Sequence, residues 1–175
     1  MQPARLVFLD ETWATTSMRP THGRAAKGQR CLGKAPHGHW HTTTFVCALR
    51  HDGLIAPCVF DSPINGETFR AWVERLLVAE LRAGDIVVMD NLASHKVAGI
   101  RQVIEAKGAS VRYLPPYSPD FNPIEQVFAK LKTLLRRTAA RTMESLWHTI
   151  GSLLHRFSPQ ECASYIRHCG YGSSA

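Results

Sequence analysis

Ile86-Val87-Val88-Met89-Asp90 is apolar at every position before it ends in an acid. A strand that is apolar on both faces is typical of the interior of a parallel sheet, which helices cover on both sides. The flanking segments 65–82 and 96–107 carry apolar residues at helical spacing, and Gly84 and Gly108 follow them as helix terminators. The stretch therefore predicts a central strand of an α/β fold.

Further strands are predicted on both sides of this one. Residues 5–10 form a short apolar strand, and residues 110–114 form the last strand of the set. Between them, residues 42–49 and 54–60 are β-rich runs joined by His51-Asp52-Gly53, which is a hairpin signal. The chain is therefore expected to contain five strands, three of them before the first helix.

Residues 12–38 are predicted to form an irregular basic loop or arm, and helices are predicted to follow the last strand. Asn122 is expected to cap a third helix with Pro123 at its first position, and two more helices are expected at 143–157 and 159–169. A strand meander that leads into alternating β and α elements predicts a mixed five-stranded sheet flanked by helices. This order of elements matches the ribonuclease-H-like fold.

Bulk composition limits the class of protein. A chain of 175 residues with 45% hydrophobic residues is sufficient for one folded domain. No apolar run approaches the roughly 20 residues of a membrane span, so no membrane partner is expected. Five cysteines without a C-x-x-C pair argue against a disulfide framework and a zinc finger. We therefore expect a reducing, cytoplasmic location.

Basic residues are concentrated in two parts of the chain. The net charge is +7, and residues 12–51 and 126–143 contain no acidic residue. Such stretches are typical of proteins that bind a polyanion such as DNA or RNA. A soluble basic surface without a specific partner remains the alternative on charge alone.

Three carboxylates occur where phosphodiester chemistry could use them. Asp10 and Asp90 each end an apolar run, and Glu125 lies at the start of the third helix. Acidic side chains at the ends of adjacent strands, closed by one on a helix, could hold two divalent ions. Each also has a plain structural explanation: a turn at Asp10, an Asx turn at Asp90, and a capping box between Asn122 and Glu125. Only their joint arrangement favours a metal site.

The helix that carries Glu125 predicts a further feature. Glu125, Ala129, Lys132 and Arg136 fall along one stripe at 100° per residue. A phosphate backbone that leaves the metal site could follow this stripe. A solvated basic face is the alternative.

Three sequence blocks resemble the catalytic blocks of DDE transposases. They are Leu9-Asp10-Glu11-Thr12, Met89-Asp90-Asn91-Leu92-Ala93-Ser94-His95, and Leu114-Pro115-Pro116-Tyr117-Ser118-Pro119-Asp120-Phe121-Asn122-Pro123-Ile124-Glu125. The similar branch is the bacterial insertion-sequence group related to the Tc/mariner superfamily. The basic segment 23–30 also resembles that group, and the resemblance spans about residues 5–157.

The resemblance implies a function and a set of site residues. It implies metal-dependent cleavage and strand transfer during cut-and-paste transposition, with Asp10, Asp90 and Glu125 as the catalytic ligands of two Mg²⁺ or Mn²⁺ ions. Transposon ends and a target with TA dinucleotides would be the DNA partners. Residues that support the ligands or face DNA would be Asn91, His95 and Asn122; the DNA-binding residues would be Arg24, Lys27, Arg30, Lys132 and Arg136.

Family members usually carry an N-terminal helix-turn-helix module, and Asp10 lies too near the start of this sequence for one. We expect residues 1–157 to form the catalytic domain and 158–175 a C-terminal helix and tail. A separately encoded DNA-binding half and a homodimer are possible partners. A bacterial protein, associated with the nucleoid when it is bound to DNA, is the expected setting.

Other interpretations remain open. A catalytically inactive DNA-binding relic or an accessory regulator of transposition would keep the same sequence blocks. An aspartyl-phosphate phosphatase would require an acid two residues after Asp10, where the chain has Thr12. The histidines of His37-Gly38-His39-Trp40-His41 could bind zinc or nickel but are more typical of an exposed strand. Trp13 is a candidate for contact with an unpaired base.

Overall fold

A five-stranded mixed sheet forms the centre of the molecule, as predicted. The computed structural model describes residues 2–33 and 36–172. The strands are β1 (Leu6–Thr15), β2 (Thr42–Arg50), β3 (Gly53–Phe60), β4 (Ile86–Met89) and β5 (Ser110–Tyr113). Their order across the sheet is β3-β2-β1-β4-β5. Strand β2 is antiparallel to both of its neighbours, β1 and β3, whereas β4 runs parallel to both β1 and β5.

Strand β1 separates two apolar cores. Its first four side chains are completely buried and alternate between the faces of the sheet, because successive strand residues point in opposite directions. Leu6 and Phe8 join the core on one face, and Val7 and Leu9 join the core on the other. Helices consequently cover both faces of the sheet.

Strand β1 is longer than the sequence predicts. The apolar run indicates an end at residue 10, but pairing with β2 continues until Thr15 meets Thr42. The extra residues include buried threonines, whose branched side chains suit a strand. Asp10 therefore lies within a strand and not at its end.

Six α-helices pack on the sheet in the described part of the chain. They are α1 (Gly66–Trp72), α2 (Val78–Glu80), α3 (Ile100–Glu105), α4 (Ile124–Thr138), α5 (Met143–Leu153) and α6 (Pro159–Ile166). The π-helical turn Val73–Leu77 connects α1 and α2, so together they form the helix that the sequence predicts over 65–82. Within residues 2–33 and 36–172, no helix is long and apolar enough to cross a membrane.

The start of α3 differs from its prediction. The periodicity indicates a helix from residue 96, but α3 begins at Ile100, after a 3₁₀ turn at Ala93–Lys96. Gly99 has a φ of 97°, which a regular helix does not allow. The apolar spacing of Val97 therefore reflects packing against the core and not helical geometry.

The C-terminal helices cover the predicted ranges and belong to the main core. A 3₁₀ turn at Leu154–Arg156 continues α5, and a π-helical turn at Arg167–Tyr171 continues α6. Cys162 and Ile166 of α6 are buried in the same core as β1 and α4. Lys130 of α4 also pairs with Glu161 of α6 at 2.6 Å. The segment from residue 158 thus packs on the same sheet as the preceding residues, and residues 173–175 of the predicted tail lie outside the described part.

Candidate active site

Asp10 and Asp90 lie side by side on parallel strands. The register that pairs Phe8 of β1 with Val88 of β4 puts the two aspartates level, two residues further along. Asp90 follows the last residue of β4 directly. Residues two apart in a strand point to the same face, so the side chain of Asp10 lies on the same face as Phe8. Helix α4 covers this face of the sheet.

One cleft brings the three predicted carboxylates together. Asp10, Asp90 and Glu125 line a cleft of about 360 Å³. Asn91 and Asn122 line it as well, together with the proline-rich segment Leu114–Pro119. Three separate elements therefore contribute acids to one concave surface, as the sequence blocks predict.

The electrostatic environment of Asp10 is unfavourable for a free carboxylate. Burial is the largest cause that raises the pKa of Asp10 to about 7, and the nearby acids Asp90, Glu11 and Glu125 contribute to the same rise. A hydrogen bond of 2.8 Å from the Glu11 backbone N–H acts in the opposite direction. A cation in the cleft would relieve this concentration of negative charge.

Asn122 holds Asp10 instead of capping a helix. Its Nδ2 donates to Asp10 Oδ2 at 2.8 Å, and the residue is almost completely buried. The predicted cap is therefore wrong, because the amide that would cap α4 is turned toward the aspartate and Pro123 occupies the cap position. The backbone N–H of Asn122 donates to Pro119 O at 2.9 Å. A capping box would have given that N–H to Glu125, whose carboxylate is instead left facing the cleft.

His95 is completely buried behind Asp90. Its Nε2 donates to Glu11 Oε2 at 2.8 Å, and its Nδ1 lies 2.5 Å from Asp90 Oδ1. The second contact is an ion pair and not a well-formed hydrogen bond. Burial alone would lower the pKa of His95, but the two carboxylates raise it to about 9. The same contact with His95 holds the pKa of Asp90 below its usual range, although burial opposes this.

The donor set of the cleft suits a hard divalent cation. Carboxylate and amide oxygens are the ligands that Mg²⁺ and Mn²⁺ prefer. In residues 2–33 and 36–172, however, no three acidic, histidine or cysteine side chains are close enough to hold one ion as they stand. The carboxylates would therefore have to draw together around a cation.

The predicted DNA-binding residues lie in two places. Lys132 and Arg136 are partly buried on α4, and the Lys132 ammonium lies 4.5 Å from the centre of the exposed Trp13 ring. Burial lowers the pKa of Lys132, and Arg136 lowers it further. Arg24, Lys27 and Arg30 are exposed between β1 and β2 and do not line the cleft.

Sequence reasoning missed two features of the site. Glu11 received no role, although its position next to Asp10 places it on the opposite face of β1, where His95 lies. A second cleft of about 540 Å³ shares Asn122 and Glu125 with the first and includes His168 and Cys169. The sequence blocks end before these last two residues, so no motif pointed to them.

Comparison with protein families identifies a match over most of the chain. A family model described as DDE superfamily endonuclease matches residues 5–147, which include all three carboxylates. None of the curated proteins matches the chain significantly.

Solved structures of Mos1 transposase are similar in fold. The pre-cleavage Mos1 transpososome has a TM-score of 0.79 and 18% identity, over 96% of this chain and 53% of that chain. The Mos1 mariner paired-end complex with Mn has a TM-score of 0.74 and 19% identity, over 95% and 53%. The Mos1 catalytic domain with raltegravir and Mn has a TM-score of 0.74 and 17% identity, over 95% and 78%. The chain spans about half the length of the Mos1 chains in the first two structures.

Proposed function

The chain belongs to the DDE superfamily endonucleases, and we propose that it is the catalytic domain of a transposase. It would cleave DNA strands at transposon ends and transfer them to target DNA. One observation carries the proposal: Asp10, Asp90 and Glu125 come from three elements and line one cleft. The Mos1 complexes of similar fold include a paired-end complex with the left transposon end.

Two Mg²⁺ or Mn²⁺ ions are the proposed cofactors, and Asp10, Asp90 and Glu125 are their proposed ligands. Mos1 paired-end complexes have been solved with Mn and with Mg. Such ions, when bound, polarise the scissile phosphate and activate the attacking oxygen.

The chain's own residues orient the ligands and the DNA. The Asn122 amide and the Glu11 N–H each donate to one oxygen of Asp10, so the carboxylate is fixed before substrate arrives. In strand cleavage, a water oxygen would bond to phosphorus while the bond to the leaving 3′ oxygen breaks, and the water would lose one proton as the 3′ oxygen gains one. In strand transfer, the oxygen of the freed 3′ hydroxyl would bond to a phosphorus of the target in the same cleft. The bond from that phosphorus to a target 3′ oxygen would break, and the departing oxygen would take up a proton as the attacking hydroxyl loses one.

DNA is proposed to leave the cleft along α4. Lys132 lies seven residues after Glu125, which corresponds to about 10 Å along the helix, and Arg136 continues the same stripe. Exposed Arg24, Lys27 and Arg30 would contact DNA phosphates further away. A TA target, which the family resemblance implies, stays a prediction, as do a homodimer and a separately encoded DNA-binding half.

Nicking of a supercoiled plasmid in Mn²⁺ tests the proposed function. We expect nicked circles with the wild-type chain, and only the metal-free background with Asp10→Ala, Asp90→Ala or Glu125→Gln. Asp61→Ala is the matched control, because Asp61 is an exposed acid after β3 that does not line the cleft. DNA binding without nicking in either Mg²⁺ or Mn²⁺ would favour the inactive relic instead.

A further inference from the structure

Glu11, His95 and Asp90 form a buried bridge between β1 and the turn after β4, which we call the histidine bridge. His95 has no exposed surface, and each of its ring nitrogens meets a different carboxylate, at 2.8 Å and 2.5 Å. The Phe69 ring packs against it, with the two ring centres 4.2 Å apart. The imidazole is thus held along two edges and against one face, which leaves it one orientation.

The two acids of the bridge lie on different sides of the sheet. Glu11 follows Leu9 in the alternation of β1 and lies on the face covered by α1 and α3. Asp90 lies at the end of β4 and lines the cleft on the other face. His95 therefore connects the cleft to a carboxylate that does not line it.

The contacts of Asp90 fall on one of its two oxygens. Within the described residues, His95 Nδ1 lies 2.5 Å from Oδ1, and the Leu92 N–H donates to the same Oδ1 at 3.1 Å. Oδ2 is therefore the oxygen that remains for a cation in the cleft. A carboxylate held on one oxygen only keeps the other oxygen oriented for binding.

We infer that His95, supported by Glu11, is the positioning residue for Asp90. This inference rests on the proposed function, because it assigns the bridge a role in cation binding at the same cleft. Groups that hold a metal ligand in place commonly contribute 10- to 100-fold in metal affinity. The alternative is that the bridge only fastens β1 to the turn after β4.

Mn²⁺ affinity and folding stability, measured together, separate these roles. We expect His95→Gln to weaken Mn²⁺ binding at least about tenfold, as followed by the EPR signal of free Mn²⁺. It should also destabilise the fold, since Glu11 and Asp90, which are both partly buried, lose the positively charged imidazole that they share. The double variant His95→Gln/Glu11→Gln removes one of these charges, so stability should largely recover while Mn²⁺ binding stays weak. Glu11→Gln alone is measured beside it.

A second buried ion pair supplies the control. Arg50 and Asp85 form an ion pair at 2.7 Å, and both side chains are almost fully buried away from the cleft. Asp85→Asn should lower stability without changing Mn²⁺ affinity.

Two results would overturn the inference. One is a folded His95→Gln chain that binds Mn²⁺ as tightly as the wild type; the other is recovery of Mn²⁺ affinity together with stability in the double variant. Either leaves the proposed function intact. A wild-type chain that binds no Mn²⁺ would overturn both the inference and the proposed function.

Discussion

At the residue scale, Asp10 is the clearest case of a side chain whose proposed function lowers the stability of the fold. Only 7% of its surface is exposed, and three other acids lie near it. Burying a carboxylate without a cation costs free energy, because water no longer solvates the charge. The fold keeps this arrangement at a position where stability alone would favour a neutral side chain.

The raised pKa of Asp10 predicts that the free energy of unfolding depends on pH. Unfolded, the carboxyl titrates near 3.8; folded, its pKa is about 7. Between these values the unfolded chain binds fewer protons, so the free energy of unfolding falls by roughly 4 kcal/mol as the pH rises through this window. Asp10→Asn should therefore be more stable than the wild type without metal. Its advantage should grow by roughly 3 kcal/mol between pH 5 and pH 8.

Urea unfolding in EDTA at the two pH values measures this difference. Asp61→Asn, at an exposed acid, should show no such dependence. An advantage of Asp10→Asn that is equal at pH 5 and pH 8 would show that Asp10 is not held in an unfavourable environment.

At the scale of elements, α4 is expected to bind the DNA backbone through Lys132 and Arg136, which we call the DNA track. Replacing both Lys132 and Arg136 with glutamine removes two phosphate contacts, so the slope of log affinity against log salt should fall by about 2. Fluorescence anisotropy with a labelled duplex, between 50 and 200 mM salt, measures this slope.

Arg101→Gln with Lys107→Gln is the matched control for the track. Both residues are exposed and lie on or just after α3, which packs on the opposite face of the sheet. The control pair should keep the wild-type slope. An unchanged slope in the α4 variant would show that Lys132 and Arg136 do not contact DNA phosphates.

Periodicity predicted the order of the elements but not all of their limits. Strand and helix types were predictable because apolar spacing is a local property, and β4 is the clearest case. The extension of β1 to Thr15 depends on pairing with β2, which no local pattern reveals. The start of α3 was misplaced because the positive φ of Gly99 interrupts a pattern that still looks helical.

The site was predictable to a similar extent. The three carboxylates could be named because each lies in a recognisable sequence block. The contact between His95 and Glu11 joins residues 84 positions apart, so only tertiary packing brings it about. Asn122 was assigned to a cap because its local context fits one, and the long-range contact with Asp10 is the interaction that forms instead.

At the scale of the whole molecule, the C-terminal segment is part of the main apolar core. Ile166 of α6 is 1% exposed, and the Tyr171 ring packs on Phe8 of β1 with ring centres 4.8 Å apart. We expect Ile166→Ala to lower the free energy of unfolding by about 2–5 kcal/mol, as for other buried isoleucines. Exposed Ser164→Ala is the control on the same helix. A loss below about 0.5 kcal/mol for Ile166→Ala would mean that α6 is dispensable for the core.

The central claim, that Asp10, Asp90 and Glu125 together bind divalent cations in one cleft, has a direct test in backbone cleavage by bound iron. Fe²⁺ in place of Mg²⁺, with ascorbate and peroxide, generates radicals that cut the chain near the metal. We expect cuts close to residues 10, 90 and 125, suppressed by excess Mg²⁺ and lost in Asp90→Ala. Cuts confined to other regions, such as the histidines at 37–41, would contradict the account.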